Sequence, residues 1–367
     1  MESGCVVTVV APSGPDARPH ESIDGVGIVR FRYWFQQHQA LAVGVGGIVP
    51  NLRGRPGLAI QVLPFLIALV AAAVRHSRGY DVIHAHWIVP SGLAALIARL
   101  FWSIPVVATS HGGEVNLARP GSFLAKVIAF TGNRVNVCTA VSEALCERLS
   151  AMGVARPIFV PLGVKLSTSL GRFDHAVSGS SALRVLFVGS LIPRKSISTL
   201  LEALHLVRQY GVSITAAIVG DGPDRTALEG LASRHHLEAR FAGEVSHREV
   251  LTWMDGADVL VLPSISEGRP MVVLEAMASG LPVVGSDIDG TRELIEHGRT
   301  GYLFPLGDAD KLADCLRILT DPQVRMNLAE KAARFVIDSG LSDIAAAKKF
   351  TDLYSLLERE SLAKTDA

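Results

Sequence analysis

The sequence predicts an α/β protein made of two parallel-sheet units. Apolar runs of strand length alternate with longer helical patterns along nearly the whole chain, as in sheets whose strands are joined by helices. The alternation breaks once, over a Pro/Gly-rich and then Ser-rich stretch from Pro161 to Ser181 that reads as a linker. Size agrees: 367 residues, 49% of them hydrophobic, leave room for two domain cores.

Ahead of the break, strands are expected at Val6–Ala11, Val26–Phe31, Asp81–Ala85, Pro105–Ser110, Arg134–Thr139 and Ile158–Val160. Val62–Val74 is the most apolar helix, and its 13 residues fall short of the roughly 20 needed to span a bilayer. It reads as a core helix, with an interfacial position as the alternative. Past the break, strands are expected at Arg184–Gly189, Thr215–Val219, Ala239–Ala242, Val259–Leu262 and Pro282–Gly285, and the first is followed by a helix with Leu200, Leu201, Leu204 and Val207 on one face. A closing helix covers Ser342–Arg359. The implied domains are residues 1–165 and 183–341, with a linker at 166–182 and a C-terminal crossing helix and tail at 342–367. Open sheets of this Rossmann-like kind bind ligands beyond the carboxyl ends of their strands, so two domains facing across a cleft are expected to form the site there.

Net charge is zero, but it is unevenly placed: residues 1–165 hold 14 basic and 8 acidic residues, and the remainder 21 basic and 27 acidic. The basic half suits an anionic acceptor or an anionic membrane surface. Nucleic acid is not expected as a partner, since there is no concentrated basic stripe or recognition motif. Cys5, Cys138, Cys146 and Cys315 have neither metal-ligand nor disulfide-framework spacing and fit a reducing cytoplasm. The start of the sequence lacks the pattern of a signal peptide.

The chemistry concentrates in Pro263 to Pro282, PSISEGRPMVVLEAMASGLP. A buried strand leads into a polar loop, and Pro270 then stands where a helix starts, a place that tolerates its missing N–H. Free backbone N–H groups and the positive dipole end there can hold ligand hydroxyls or phosphates. Glu267 in the loop and Glu275 in the helix, separated by seven residues, could each accept hydrogen bonds from a polyhydroxylated ligand. Taken singly, Glu267 reads sooner as a first-turn acid capping the helix and Glu275 as a residue on its wet face; together in this frame they point to a ligand.

The segment strongly resembles the Glu-x7-Glu signature of retaining glycosyltransferases of family 4, matching at Ser264, Glu267, Gly268, Pro270, Glu275, Ala276, Met277, Ala278, Gly280, Pro282, Val283 and Val284. The resemblance implies the two-domain GT-B fold. It also implies that Glu267 and the backbone of Gly268, Arg269, Pro270 and Met271 contact the donor sugar, while Glu275 binds the ribose. Gly189-Ser190-Leu191-Ile192-Pro193-Arg194-Lys195 resembles the family's G-R-x-x-x-x-K-G segment, with Ser190 and Ser196 in place of the usual Arg and Gly. Phosphate charge is then expected from Lys195 with Arg194 beside it. The loops at Gly220 and Val245 resemble those that approach the nucleotide.

In the first domain, His111 in Thr109-Ser110-His111-Gly112-Gly113-Glu114 resembles the family's H-G-x-D histidine near the transferring sugar, with Glu114 for the usual Asp. A hydrogen-bonding or proton-accepting imidazole is expected. His84 and His86 would share a strand face and line the acceptor side. Their spacing also suits a metal, but no third ligand cluster accompanies them, and no metal is expected. His111, Glu267 and Lys195 are thus the catalytic candidates. The implied activity is retaining transfer from a UDP- or GDP-sugar, a substrate rather than a cofactor, to a carbohydrate or lipid-linked acceptor in surface polysaccharide or glycolipid assembly, in the cytoplasm or at the inner face of the membrane. Compared with the family, the sequence lacks the opening β-loop-α unit, and this keeps a catalytically impaired binding protein as an alternative. A nucleotide-sugar epimerase on the same architecture is the other.

Overall fold

The structure, a computed structural model, describes residues 4–43, 47–166 and 182–365. It divides into two compact units, residues 1–161 with 347–367 and residues 162–346. Most of the expected linker, residues 167–181, lies outside the described residues.

The first unit contains β1 (Thr8–Pro12), β2 (His20–Ile23), β3 (Val26–Phe31), α1 (Ile48–Gly54), α2 (Val62–Ser77), β4 (Ile83–His86), α3 (Leu93–Trp102), β5 (Val106–Ser110), α4 (Gly113–Leu117), α5 (Phe123–Gly132), β6 (Val137–Ala140), α6 (Glu143–Ala151) and β7 (Ile158–Phe159). Its strands form two sheets. One has the order β1-β3-β2, with β1 parallel and β2 antiparallel to β3; the other is parallel, with the order β4-β5-β6-β7. Among the described residues no strand joins β1 to β4, so each is a free edge.

The hairpin strand β2 was not anticipated. Its turn is Asp24-Gly25 with φ of 50° and 81°, the doubly left-handed geometry that an Asp-Gly pair favours. A second correction concerns the apolar helix. A 3-10 turn at Pro56–Gln61 runs into α2, so the helical stretch covers Pro56–Ser77, 22 residues with an 18-residue window of mean hydropathy 2.4, long and apolar enough to cross a membrane. One stripe packs inward: Phe65 meets Phe31 at 5.9 Å and Tyr33 edge-on at 5.2 Å. The other faces out, with Ile60 67%, Leu63 66% and Ile67 61% exposed. The core position expected of this helix therefore holds for one face only. No acidic residue occurs from Gly25 to Tyr80, where six arginines do.

The second unit comprises β8 (Leu183–Val188), α7 (Ile197–Gln209), β9 (Ile214–Val219), α8 (Arg225–Arg234), β10 (Ala239–Gly243), α9 (His247–Asp255), β11 (Val259–Leu262), α10 (Met271–Ala278), β12 (Val283–Ser286), α11 (Asp289–Arg292), β13 (Tyr302–Phe304), α12 (Ala309–Ile318) and α13 (Pro322–Asp338). Its six parallel strands run β10-β9-β8-β11-β12-β13. Leu200, Leu201, Leu204 and Val207 of α7 are buried as expected. The strand order reverses between β8 and β11, and a doubly wound sheet opens its ligand crevice at the carboxyl ends of just those two strands. The last helix, α14 (Asp343–Thr365), starts in the second unit and ends in the first.

Candidate functional site

The loops after β8 and β11 meet at the switch point. Lys195 Nζ donates to Glu267 Oε1 at 2.7 Å, with side chains only 14% and 9% exposed. Arg194 donates to the Ser266 carbonyl at 2.8 Å, and its guanidinium stands 3.7 Å from Glu267 Oε2. The Ile265 N–H donates to the Arg194 carbonyl at 2.8 Å, stitching the loops through main chain as well. Glu267 rests on Gly290, where a Cβ would come within 2.7 Å of its carbonyl oxygen.

Arg269 turns away from this cluster. Its buried guanidinium pairs with Glu293 at 3.4 Å, leaving only its backbone for a ligand. Pro270 precedes the first turn of α10 with φ −75°, Met271 opens the helix, and Gly268 lies partly exposed between them and Glu267. Glu275 sits one turn in, half-buried. Burial holds its carboxyl above the usual range, opposed by the nearby His247.

Gly189 and Gly220 have a packing reason to be glycine. Their φ values are 154° and 128°, and a Cβ on Gly220 would lie 2.0 Å from the Gly189 carbonyl oxygen. Gly220 also donates to the Gly243 carbonyl at 2.8 Å, which ties in the loop carrying the half-buried Val245. Ser190 lies partly exposed beside Gly189. Arg225, which the sequence reading missed, braces this corner through Asp221 at 3.1 Å and the Phe241 carbonyl at 3.3 Å. A 550 Å³ hollow lined by Arg184, Thr215, Glu238, Arg240 and Trp253 lies at the amino ends of the strands, away from this cluster.

In the first unit, His84 and His86 do share a face, their rings stacked 4.5 Å apart. Both nitrogens of His84 are committed, Nδ1 to the Tyr354 hydroxyl at 2.5 Å and Nε2 to the Thr109 hydroxyl at 2.6 Å. Within the fold it is a structural hub. His86 Nδ1 lies 2.9 Å from His111 Nε2, so one ring donates to the other and each keeps one free nitrogen. Burial pushes the His84 and His111 imidazoles down to about 3 and about 4, with neighbouring imidazoles adding to both shifts. Protein atoms crowd His86 and lower it too, although its ring still reaches solvent.

Glu114 lies deeper than the histidines. It is 3% exposed, accepts from the Ile88 N–H at 3.3 Å, and burial raises its carboxyl, so it supports the loop from beneath. Among the described residues no three His, Cys, Asp or Glu side chains are placed to hold a metal ion. Trp87, unremarked in the sequence, stands between His86 and the histidine loop with φ 79° and is 44% exposed.

A family described as "Glycosyltransferase Family 4" matches residues 1–168, and one described as "Glycosyl transferases group 1" matches residues 182–321. The chain is similar to an N-acetyl-alpha-D-glucosaminyl L-malate synthase of Bacillus anthracis, 26% identical over 319 residues, 83% of each protein. It is 30% identical over 303 residues to a D-inositol 3-phosphate glycosyltransferase of Pseudarthrobacter chlorophenolicus, covering 74% of this chain and 70% of that one. Among solved structures, Anabaena HepE in complex with UDP and glucose shares the fold, with TM-score 0.70 and 20% identity over 90% of this chain and 86% of that one. With two α/β units, these sequence matches and a shared fold, the chain belongs to the family 4 glycosyltransferases of GT-B architecture.

Proposed function

We propose that this glycosyltransferase moves a sugar, with retention, from a UDP- or GDP-sugar to a carbohydrate or lipid-linked acceptor, in surface polysaccharide or glycolipid assembly. The observation that carries this reading is the Lys195–Glu267 pair at the switch point, one group suited to diphosphate and one to sugar hydroxyls, with Glu275 a helical turn into α10 for the ribose. Lys195 and Arg194 would stabilise negative charge on the departing diphosphate. His111 would hydrogen-bond the transferring sugar; its imidazole, held near 4, stays neutral at physiological pH and is a weak base, which favours hydrogen bonding over proton transfer. The reaction as read needs no cofactor.

The site of work would be the cytoplasmic face of an anionic membrane. The acid-free, arginine-bearing stretch and the open apolar stripe of α2 support this placement. The divided sheet of the first unit favours one second reading, nucleotide binding without transfer.

Thermal-shift screening against UDP, GDP, ADP and their sugar conjugates tests the proposal, since a ligand confined to the folded state raises its midpoint. A shift with one base is expected. Lys195→Ala and Glu275→Ala should each weaken that ligand about ten- to a hundredfold, as loss of a charged hydrogen bond does. Unchanged affinity in both variants would sink the donor assignment, and a shift without turnover on any acceptor would select the second reading.

A further inference from the structure

The Trp87 backbone lies at φ 79° and ψ 122°, in a region that a bulky L-residue adopts only under constraint. Such a conformation is costly and persists where the surroundings over-determine it. The surroundings here are specific. The Trp87 N–H donates to the Thr109 carbonyl at 2.7 Å, and the Trp87 carbonyl accepts from the Gly92 N–H at 3.1 Å. The ring lies against Gly113 so closely that a Cβ there would fall 2.4 and 2.6 Å from two ring carbons. Main chain and ring are thus both pinned.

A tryptophan held this way for packing would be buried, yet this one is 44% exposed. A surface tryptophan with no task would gain by becoming glycine, which accepts this φ freely. The pinned, half-open ring also has His86 as its chain neighbour, and it leans on the loop that carries His111. Those two imidazoles hydrogen-bond each other at 2.9 Å and keep one free nitrogen each. Both imidazoles are held neutral, which suits an uncharged polyol better than a phosphate.

We propose that Trp87 is the floor of an acceptor subsite that stacks the C–H face of a pyranose ring, with the free imidazole nitrogen of His86 meeting its hydroxyls. The proposal rests on the glycosyl-transfer reading and adds a residue and a ligand class to it. Aromatic side chains supply this combination of flat apolar area and fixed geometry.

The test is saturation-transfer NMR on the full chain with methyl α-D-glucopyranoside, methyl α-D-mannopyranoside and methyl α-D-galactopyranoside. At least one should receive saturation, strongest on the C–H groups of one ring face, in the native protein and in Trp87→Phe. Trp87→Gly removes the ring and relieves the backbone, so it keeps the fold, and it should bind the same glycoside about tenfold more weakly. Gly113→Ala should do likewise by displacing the ring. Undiminished transfer to Trp87→Gly, or none to the native protein from any of the three, overturns the subsite. The nucleotide thermal shift read on the same samples separates the two ideas: either of those failures with the shift intact overturns the subsite alone, and a missing nucleotide shift overturns the donor reading alone.

Discussion

His84 shows how a residue's place can be read from sequence while its partners cannot. Its strand position and its shared face with His86 follow from alternation in β4, but its partners, Thr109 and Tyr354, come from elsewhere in the fold, and Tyr354 lies 270 residues away. The lowered values at His84, His86 and His111 make a pH prediction. Ordinary histidine titrates near 6.5, so between about pH 4 and pH 6.5 the unfolded chain binds more protons than the folded one. Their contribution to stability is complete above about pH 6.5 and is lost as pH falls toward 4. His84→Gln should narrow the drop in melting temperature between about pH 7.5 and about pH 5, measured by circular dichroism. Glu114 has the opposite sign: raised by burial, it stabilises in acid and loses that contribution as pH rises through its folded value. Glu114→Gln keeps an acceptor for the Ile88 N–H and should melt no lower than the native protein at neutral pH. Glu267, Glu275, Lys195 and His111 were legible because their type and spacing carry the signal. Trp87 and Arg225 were not, because a strained φ and a brace between two loops exist only after folding.

At the scale of elements, the sequence patterns located most strands to within about two residues, in line with the usual error at element ends. The hairpin β2 was signalled by Asp24-Gly25 and passed over, since its strand, His20–Ile23, is short and polar at its start. β13 has three residues, too few for any period to show. The loops after β8 and β9 make a sharper test. Gly220→Ala would drive a Cβ onto the Gly189 carbonyl oxygen, backbone against backbone, at a φ that disfavours alanine. It should cost about 1–3 kcal/mol of stability in denaturant melts and remove the nucleotide shift, whereas Gly211→Ala, strained but with nothing within 4 Å, should spare the shift. For α2, Leu63→Glu with Ile67→Glu places charge on an exposed stripe and should leave the fold intact. Co-sedimentation with phosphatidylglycerol vesicles should fall to the level seen with phosphatidylcholine; equal binding by the double variant would remove α2 from the membrane reading.

For the molecule as a whole, the two-unit plan was visible in the rhythm of the chain and its single break, while the strand order that fixes the switch point was not, because pairing between distant strands leaves no local mark. The two units also differ in how their parts are joined. The second has one continuous six-stranded sheet over a large shared core. In the first, the sheet of β1, β2 and β3 has its own small core around Phe31, Tyr33, Leu41, Phe65 and Ala72, and it is joined to β4 across no backbone ladder. Its ties to the rest include the packing of α2 and a hydrogen bond from Tyr80 to Thr8 at 2.6 Å. Cooperativity follows continuity of hydrogen bonding and core, so this sheet should open as a separate block while the remainder stays closed. Native-state hydrogen exchange would then find the amides of Val26–Phe31 exchanging well ahead of those of Val106–Ser110, and the protein would carry, beside its histidine cluster, a part that unfolds on its own clock.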